Sequence, residues 1–165
     1  MTYNSIEEFT AALERAKIAL PTILFPIAKT LNDVLAKNIK DRVGTTGKAS
    51  GGDSFSPYSS EKYKARKVKT GVGTLGKTTA FKNFYLSGSM WGSFGTRNIK
   101  LNGDRITANI DFAGNNPYSN KTNEELNQIH SEIEKQGIAY PTTDEELLLV
   151  AALEKAVFES LTTIL

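Results

Sequence analysis

The residues Gly71-Val-Gly-Thr-Leu-Gly-Lys-Thr78 match the spacing G-x-x-x-x-G-K-T of a phosphate-binding loop letter for letter. That chemistry needs backbone amides, a lysine and a helix N-terminus converging on phosphate, with a threonine on magnesium, and it needs a buried apolar strand feeding the loop. The preceding residues, Lys62-Tyr-Lys-Ala-Arg-Lys-Val-Lys69, are too charged for a central strand. Ile106-Thr-Ala-Asn-Ile-Asp111 has the form of an acidic strand that could complete a magnesium site, but it reads as the second arm of a hairpin, antiparallel to its neighbour. The segment is therefore read as a loop rich in Gly and Lys, and Lys77 and Thr78 as no nucleotide site. His130 is the only histidine, with Glu134 four residues on; two such ligands without further His or Cys make no metal site. Neither residue has an identifiable nucleophile and orienter around it, so the reading is packing and not catalysis. The acid pairs Glu124-Glu125 and Glu145-Glu146 open helices, where they complement the positive end of the dipole. No catalytic residue, cofactor or metal is expected, and the chain is read as non-enzymatic.

The remaining chemistry is that of contact. From Glu61 to Lys82 there are seven Lys or Arg against one acid, and from Asn123 to Leu165 nine acids against Lys135 and Lys155. Such polarity suits subunits packed head to tail, or a basic segment meeting nucleic acid or an acidic neighbour. Tyr58, Lys62, Tyr63, Lys64, Arg66, Lys67 and Lys69 combine cations with stacking rings, so they grip either a neighbouring subunit or, as the alternative, a nucleic acid through residues 61–82. Trp91, the only tryptophan, stands between Gly88 and Gly92 and is read first as a core residue.

These residues need elements to position them. With 165 residues, 18.0 kDa and a net charge of +2, the chain is expected to form a single domain over 1–165. The absence of cysteine removes disulfides and thiolate chemistry and fits synthesis in a reducing cytoplasm. The N-terminal residues lack the pattern of a signal peptide, and no apolar run is read as approaching a membrane span; no membrane partner is expected.

Ser5 with Glu8 predicts a capping box opening a helix to about Leu20, interrupted by Pro21 and Pro26. A second helix is predicted over about 27–43 with Gly44 as its terminator, and no heptad series is read. Nearly forty residues without apolar periodicity follow, far beyond the usual connection of about 4 to 6 residues. Residues 44–83 are thus expected to be a long extended loop ordered by assembly. Asn102-Gly103 predicts a hairpin turn between 99–101 and 106–112, with Ile106, Ala108, Ile110 and Phe112 on one face. Two strands alone are marginal, so a third is sought in 81–86 or 89–94. Thr122 with Glu125 predicts a helix closing at Gly137, and Thr143 with Glu146 a last helix over about 144–163. The fold class expected is α+β: N-terminal helices, the long loop, a small antiparallel sheet with an Asn-Gly hairpin, and C-terminal helices.

Phe55-Ser-Pro-Tyr-Ser, followed by lysines, then Leu86-Ser-Gly-Ser-Met-Trp-Gly-Ser93, the hairpin, Ile129-His130, Tyr140-Pro141 and the closing acidic helix occur in an order that resembles the tail-completion or head-tail joining proteins of tailed bacteriophages. The chain departs from that pattern in lacking the customary arginine of the glycine-centred segment, and in reducing the histidine element to Ile129-His130. The resemblance implies a virion protein of the neck or connector ring, made in the host cytoplasm, with copies of itself, the portal connector and tail proteins as partners. Contact with packaged DNA in the lumen stays open. It implies that the faces of the first and last helices form the subunit core. The interface or DNA-facing set is then Phe55, Pro57, Tyr58, Lys62, Tyr63, Lys64, Arg66, Lys67, Lys69, Leu86, Gly88, Met90 and Trp91, together with the exposed hairpin face.

Overall fold

The computed structural model describes residues 5–85, 88–103 and 105–164. In chain order the elements are α1 (Ile6–Thr46), α2 (Glu61–Thr70), α3 (Gly73–Lys77), α4 (Ser89–Gly92), β1 (Phe94–Asn102), β2 (Arg105–Phe112), α5 (Asn123–Glu134) and α6 (Thr143–Ile164). Helices at both ends with a small antiparallel sheet between them make the class α+β, as the sequence predicts.

The predicted break at the prolines does not occur. α1 runs through Pro21 and Pro26 for 41 residues, about 60 Å at 1.5 Å per residue. Each proline withdraws one donor and frees the carbonyl four residues earlier, that of Lys17 or Thr22. Both of these residues are exposed, so water takes the carbonyls and the helix continues. Ser5 caps its start, accepting from the Glu8 amide at 3.1 Å. The helix also passes Gly44 and ends at Gly47, whose φ of 62° lets its amide reach the Val43 carbonyl at 3.2 Å. Continuity has a consequence for hydropathy, contrary to the expectation above: an 18-residue window of α1 averages 1.3, long and apolar enough by length and composition alone to cross a membrane, and only 11% of it is buried within the chain.

β1 and β2 pair antiparallel with their final pair at Asn102 and Arg105, so the connection starts at Gly103 (φ 62°), one residue later than predicted. Between the pairs Arg97–Asn109 and Lys100–Thr107 two residues of β1 oppose one of β2, a bulge that Asn98 makes with a φ of 50°. On β2, Ile106, Ala108 and Ile110 are half-buried and Phe112 is buried, the face the alternation predicts. The third strand sought in the sequence is absent among the described residues. Ser89–Gly92 is a helical turn instead, and α1 and α5 pack on the sheet.

Residues 44–83 are corrected likewise. They hold α2 and α3, and they fold onto this chain's own core through Ala49 and Phe55. α5 begins at the predicted capping box and ends at Lys135 (φ 55°), short of Gly137. α6 is capped by Thr142 with Glu145, one residue before the predicted box: the Thr142 hydroxyl accepts from the Glu145 amide at 3.1 Å, and the Glu145 carboxylate accepts from the Thr142 amide at 2.8 Å. The same carboxylate takes the Arg42 guanidinium of α1 at 3.0 Å, which fixes where α6 starts against α1.

The core gathers Leu35, Ala36, Ile39 and Val43 of α1 with Ala49, Phe55, Met90, Trp91, Phe94, Phe112 and Ile138. Trp91 is fully buried, with Phe94 and Phe112 edge-on at 5.4 Å. Contrary to expectation, most of α1 and the outer face of α6 lie outside it. Ile6 (80%), Ile18 (76%), Leu148 (68%) and Phe158 (72%) are exposed.

A Cβ on Gly47 would meet the Phe81 ring at 2.4 Å, in a backbone region that side chains disfavour. Gly47→Ala is expected to lower unfolding stability by about 2 kcal/mol or more, and Gly51→Ala, with nothing within 4 Å, by less than about 0.5. Urea titration followed by circular dichroism checks both.

Candidate functional site

The segment with the phosphate-loop spacing follows α2 and contains α3, so a helix precedes it where the chemistry requires a strand. Gly71 serves close packing, since a Cβ there would lie 2.1 Å from the Gly76 carbonyl, and Gly73 takes a φ of 64°. Lys77 is exposed at the end of a five-residue helix, and the Thr78 hydroxyl is bonded to the Thr74 carbonyl at 3.0 Å. Ile106–Asp111 lies in the antiparallel hairpin. The parts of a nucleotide site are not brought together.

A different set of residues is. Asn83 is fully buried, and its side-chain oxygen accepts from Lys67 Nζ (3.0 Å) and the Tyr85 amide (3.2 Å), with the Tyr58 hydroxyl at 3.4 Å. Its Nδ2 donates to the carbonyls of Leu75 (2.8 Å) and Gly44 (3.4 Å), and its own carbonyl accepts from Trp91 Nε1 at 3.2 Å. Lys67 has no exposed surface; its ammonium also bonds the Tyr85 carbonyl and reaches Leu75 O at 3.4 Å, and it lies 5.6 Å from the Tyr58 ring centre. Burial pushes the Lys67 amine down to about 8 and the Tyr58 phenol up to about 12.

A second polar latch lies beside it. The Glu134 carboxylate, on α5, takes Lys82 Nζ at 2.5 Å and the amide and hydroxyl of Ser56 at 2.9 Å. Burial alone would raise this carboxyl, but the hydrogen bonds from Lys82 and Ser56 hold it below its ordinary value. His130, one turn earlier, packs its ring 4.9 Å from Phe84, and burial lowers its pKa. Around these groups opens a cleft of about 410 Å³ with an aromatic and aliphatic wall, to which Tyr58, Tyr63, Phe84, Met90, Tyr118 and His130 contribute.

The sequence-derived contact set divides accordingly. Pro57, Lys62, Arg66 and Lys69 are exposed, and Tyr58, Tyr63, Lys64 and Gly88 are half-buried, Lys64 being paired with Glu61 at 2.6 Å. Phe55, Lys67 and Met90 are interior and correct the expectation that they face a partner; Trp91 is interior as its first reading expects, which takes it out of the contact set. Leu86 lies outside the described residues. Asn83, Lys82 and Ser56 were not singled out by sequence reasoning. Their only signal was an asparagine and a lysine beside the aromatic Phe81, Phe84 and Tyr85. No family model, curated protein or solved structure matches this chain.

Because Lys67 is held at about 8 when folded and titrates near 10.5 when unfolded, the unfolded chain binds more protons between those values and stability rises with pH across them. From pH 8 to 9.5, before most of the tyrosine titration, the gain is expected to be between about 1 and 2 kcal/mol, since the folded lysine is still half protonated at pH 8 and the slope approaches about 1.36 per unit only above it. Urea titrations of the wild type against Lys67→Met check it: the variant's stability should stay flat over that range.

Proposed function

We propose that this chain is a non-enzymatic structural subunit of the head-tail joint of a tailed bacteriophage, one component of the neck ring. The observation that carries the reading is the large apolar surface left uncovered on α1 and α6, of which Ile6, Ile18, Leu148 and Phe158 are the most exposed members. Uncovered apolar surface on this scale marks contact with a partner. Support also comes from the division of charge, since basic side chains on α2 and acidic ones on α5 and α6 favour unlike faces meeting head to tail around a ring. The order of the aromatic-proline, glycine-centred, hairpin and closing-helix segments agrees with the resemblance. The partners are further copies of the chain, the portal connector and tail proteins, and the site of action is the virion, after synthesis in the host cytoplasm. Since residues 44–83 are fastened inside the subunit, Pro57, Lys62, Arg66 and Lys69 meet a neighbour from an ordered surface and without a large folding cost.

The mass of the purified protein by light scattering, alone and mixed with the connector ring of the same virus, tests this. Co-elution with the connector at a mass above either component is expected, and separate elution under all salt conditions overturns it.

One observation favours a second reading as a nucleic-acid binder: Lys62, Arg66 and Lys69 are exposed on one short helix and make no ion pair among the described residues. If these three cations neutralise three phosphates, duplex DNA affinity should fall about 40-fold between roughly 50 and 200 mM salt. Fluorescence anisotropy of labelled DNA reads this, and a triple Ala variant should lose both the binding and the salt slope.

A further inference from the structure

Because α1 is continuous through its prolines, its apolar residues fall on one repeat. Ile6, Leu13, Leu20, Ile27 and Val34 are spaced by seven, and Phe9, Ala16 and Ile23 stand three beyond the first three of them. In heptad terms these are the a and d positions, and the reading that no heptad series occurs is corrected. The subunit core does not use them. Its α1 members Leu35, Ala36, Ile39 and Val43 fall at b, c, f and c of the same register, a different side of the helix. Along the a and d seam Ile6, Phe9, Leu13, Ile23 and Val34 are exposed, Leu20 and Ile27 are half-buried and only Ala16 is buried. Thr30 is the one polar seam residue, and its hydroxyl is bonded to the Pro26 carbonyl at 3.0 Å, which leaves its methyl for packing.

We propose that this seam of α1 packs against the same seam of a second copy of the chain as a coiled-coil pair. A sustained repeat of seven keeps an apolar line facing a second helix, which a globular core face does not need. A bilayer is the competing occupant of this helix, whose most apolar stretch carries only Lys29 and Asp33, and vesicle binding is one outcome of the test below. The flanking e and g positions between 6 and 34 hold only two charges, Lys17 and Asp33, of opposite sign, so two copies meet without rows of like charge. Of the seventeen a, d, e and g positions, Ala12 and Ala16 are buried within the chain, so fifteen residues of each copy are left for the contact, against the roughly 20 to 30 per side of a standard interface. The pairing is a same-surface contact, separate from the head-to-tail contacts of a ring, and it stands on the seam alone.

Sedimentation equilibrium of the full chain tests it, with Leu13→Glu on the seam and Ala11→Glu at the exposed f position of the preceding heptad. The wild type and Ala11→Glu should associate, and Leu13→Glu should associate at least tenfold more weakly with an unchanged helical spectrum. Because the chain has no cysteine, oxidation of Leu20→Cys gives an independent reading: a covalent dimer is expected, and Ala11→Cys should form far less. A monomeric wild type, a Leu13→Glu variant as associated as the wild type, or no cross-link through Leu20→Cys overturns the proposal. So does binding of the monomeric wild type to phosphatidylcholine vesicles that Leu13→Glu abolishes. If the wild type associates and binds the connector while the seam variants change nothing, the seam alone fails. If the seam pairs but the connector is not bound, the neck reading alone fails.

Discussion

The hydrogen bonds around the buried Asn83 amide and Lys67 ammonium are the constraint on which the middle of this protein depends. Residues 44–83 offer little apolar side chain to bury, so hydrophobic burial by itself does not repay the ordering of their backbone. Asn83 instead ties the end of α1 at Gly44, the α2–α3 pair at Lys67 and Leu75, and the aromatic cluster at Tyr85 and Trp91 to one point. Removing either partner would leave buried donors or acceptors unpaired, each a penalty of about 1–3 kcal/mol. The Glu134 latch repeats the device toward α5 with Lys82 and Ser56.

This polar fastening lets the apolar core stay small and sit at one end of α1. Leu35 to Val43 meet the sheet, Trp91 and Ile138, while the earlier turns of α1 extend past the elements that would cover them. The Arg42–Glu145 pair lays α6 back along α1 from its C-terminal end, and at 22 residues, about 33 Å, α6 covers little more than half of a helix about 60 Å long. The apolar residues missing from the core therefore lie exposed on outward helix faces. Different chemistries are divided between inside and outside: buried polar groups help hold the fold, while apolar stripes and charged side chains stay exposed.

What was legible in the sequence was local. The caps at Ser5 and Thr122 and the hairpin, though not the exact start of its turn, read correctly because each is a hydrogen-bond pattern or backbone preference within a few residues. The contact surface was legible only in part. Lys62, Arg66 and Lys69 read as exposed cations and are, whereas Lys67, one turn from Lys64 and identical in type, is the buried one. Nothing in its neighbours marks the difference; three acceptors, at Asn83, Tyr85 and Leu75, come from as far as 18 residues away.

The sequence by itself determined the class of fold, the hairpin, the helix starts and the uneven charge, since these follow from residue type and short spacing. Tertiary structure decided the rest: that α1 passes two prolines because its freed carbonyls face water, that α6 is capped at Thr142 because Arg42 shares the Glu145 carboxylate, and that residues 44–83 fold on a buried amide. Each of these turns on whether a polar group finds water or a distant partner, and that is set by the path of the whole chain and not by the residues beside it.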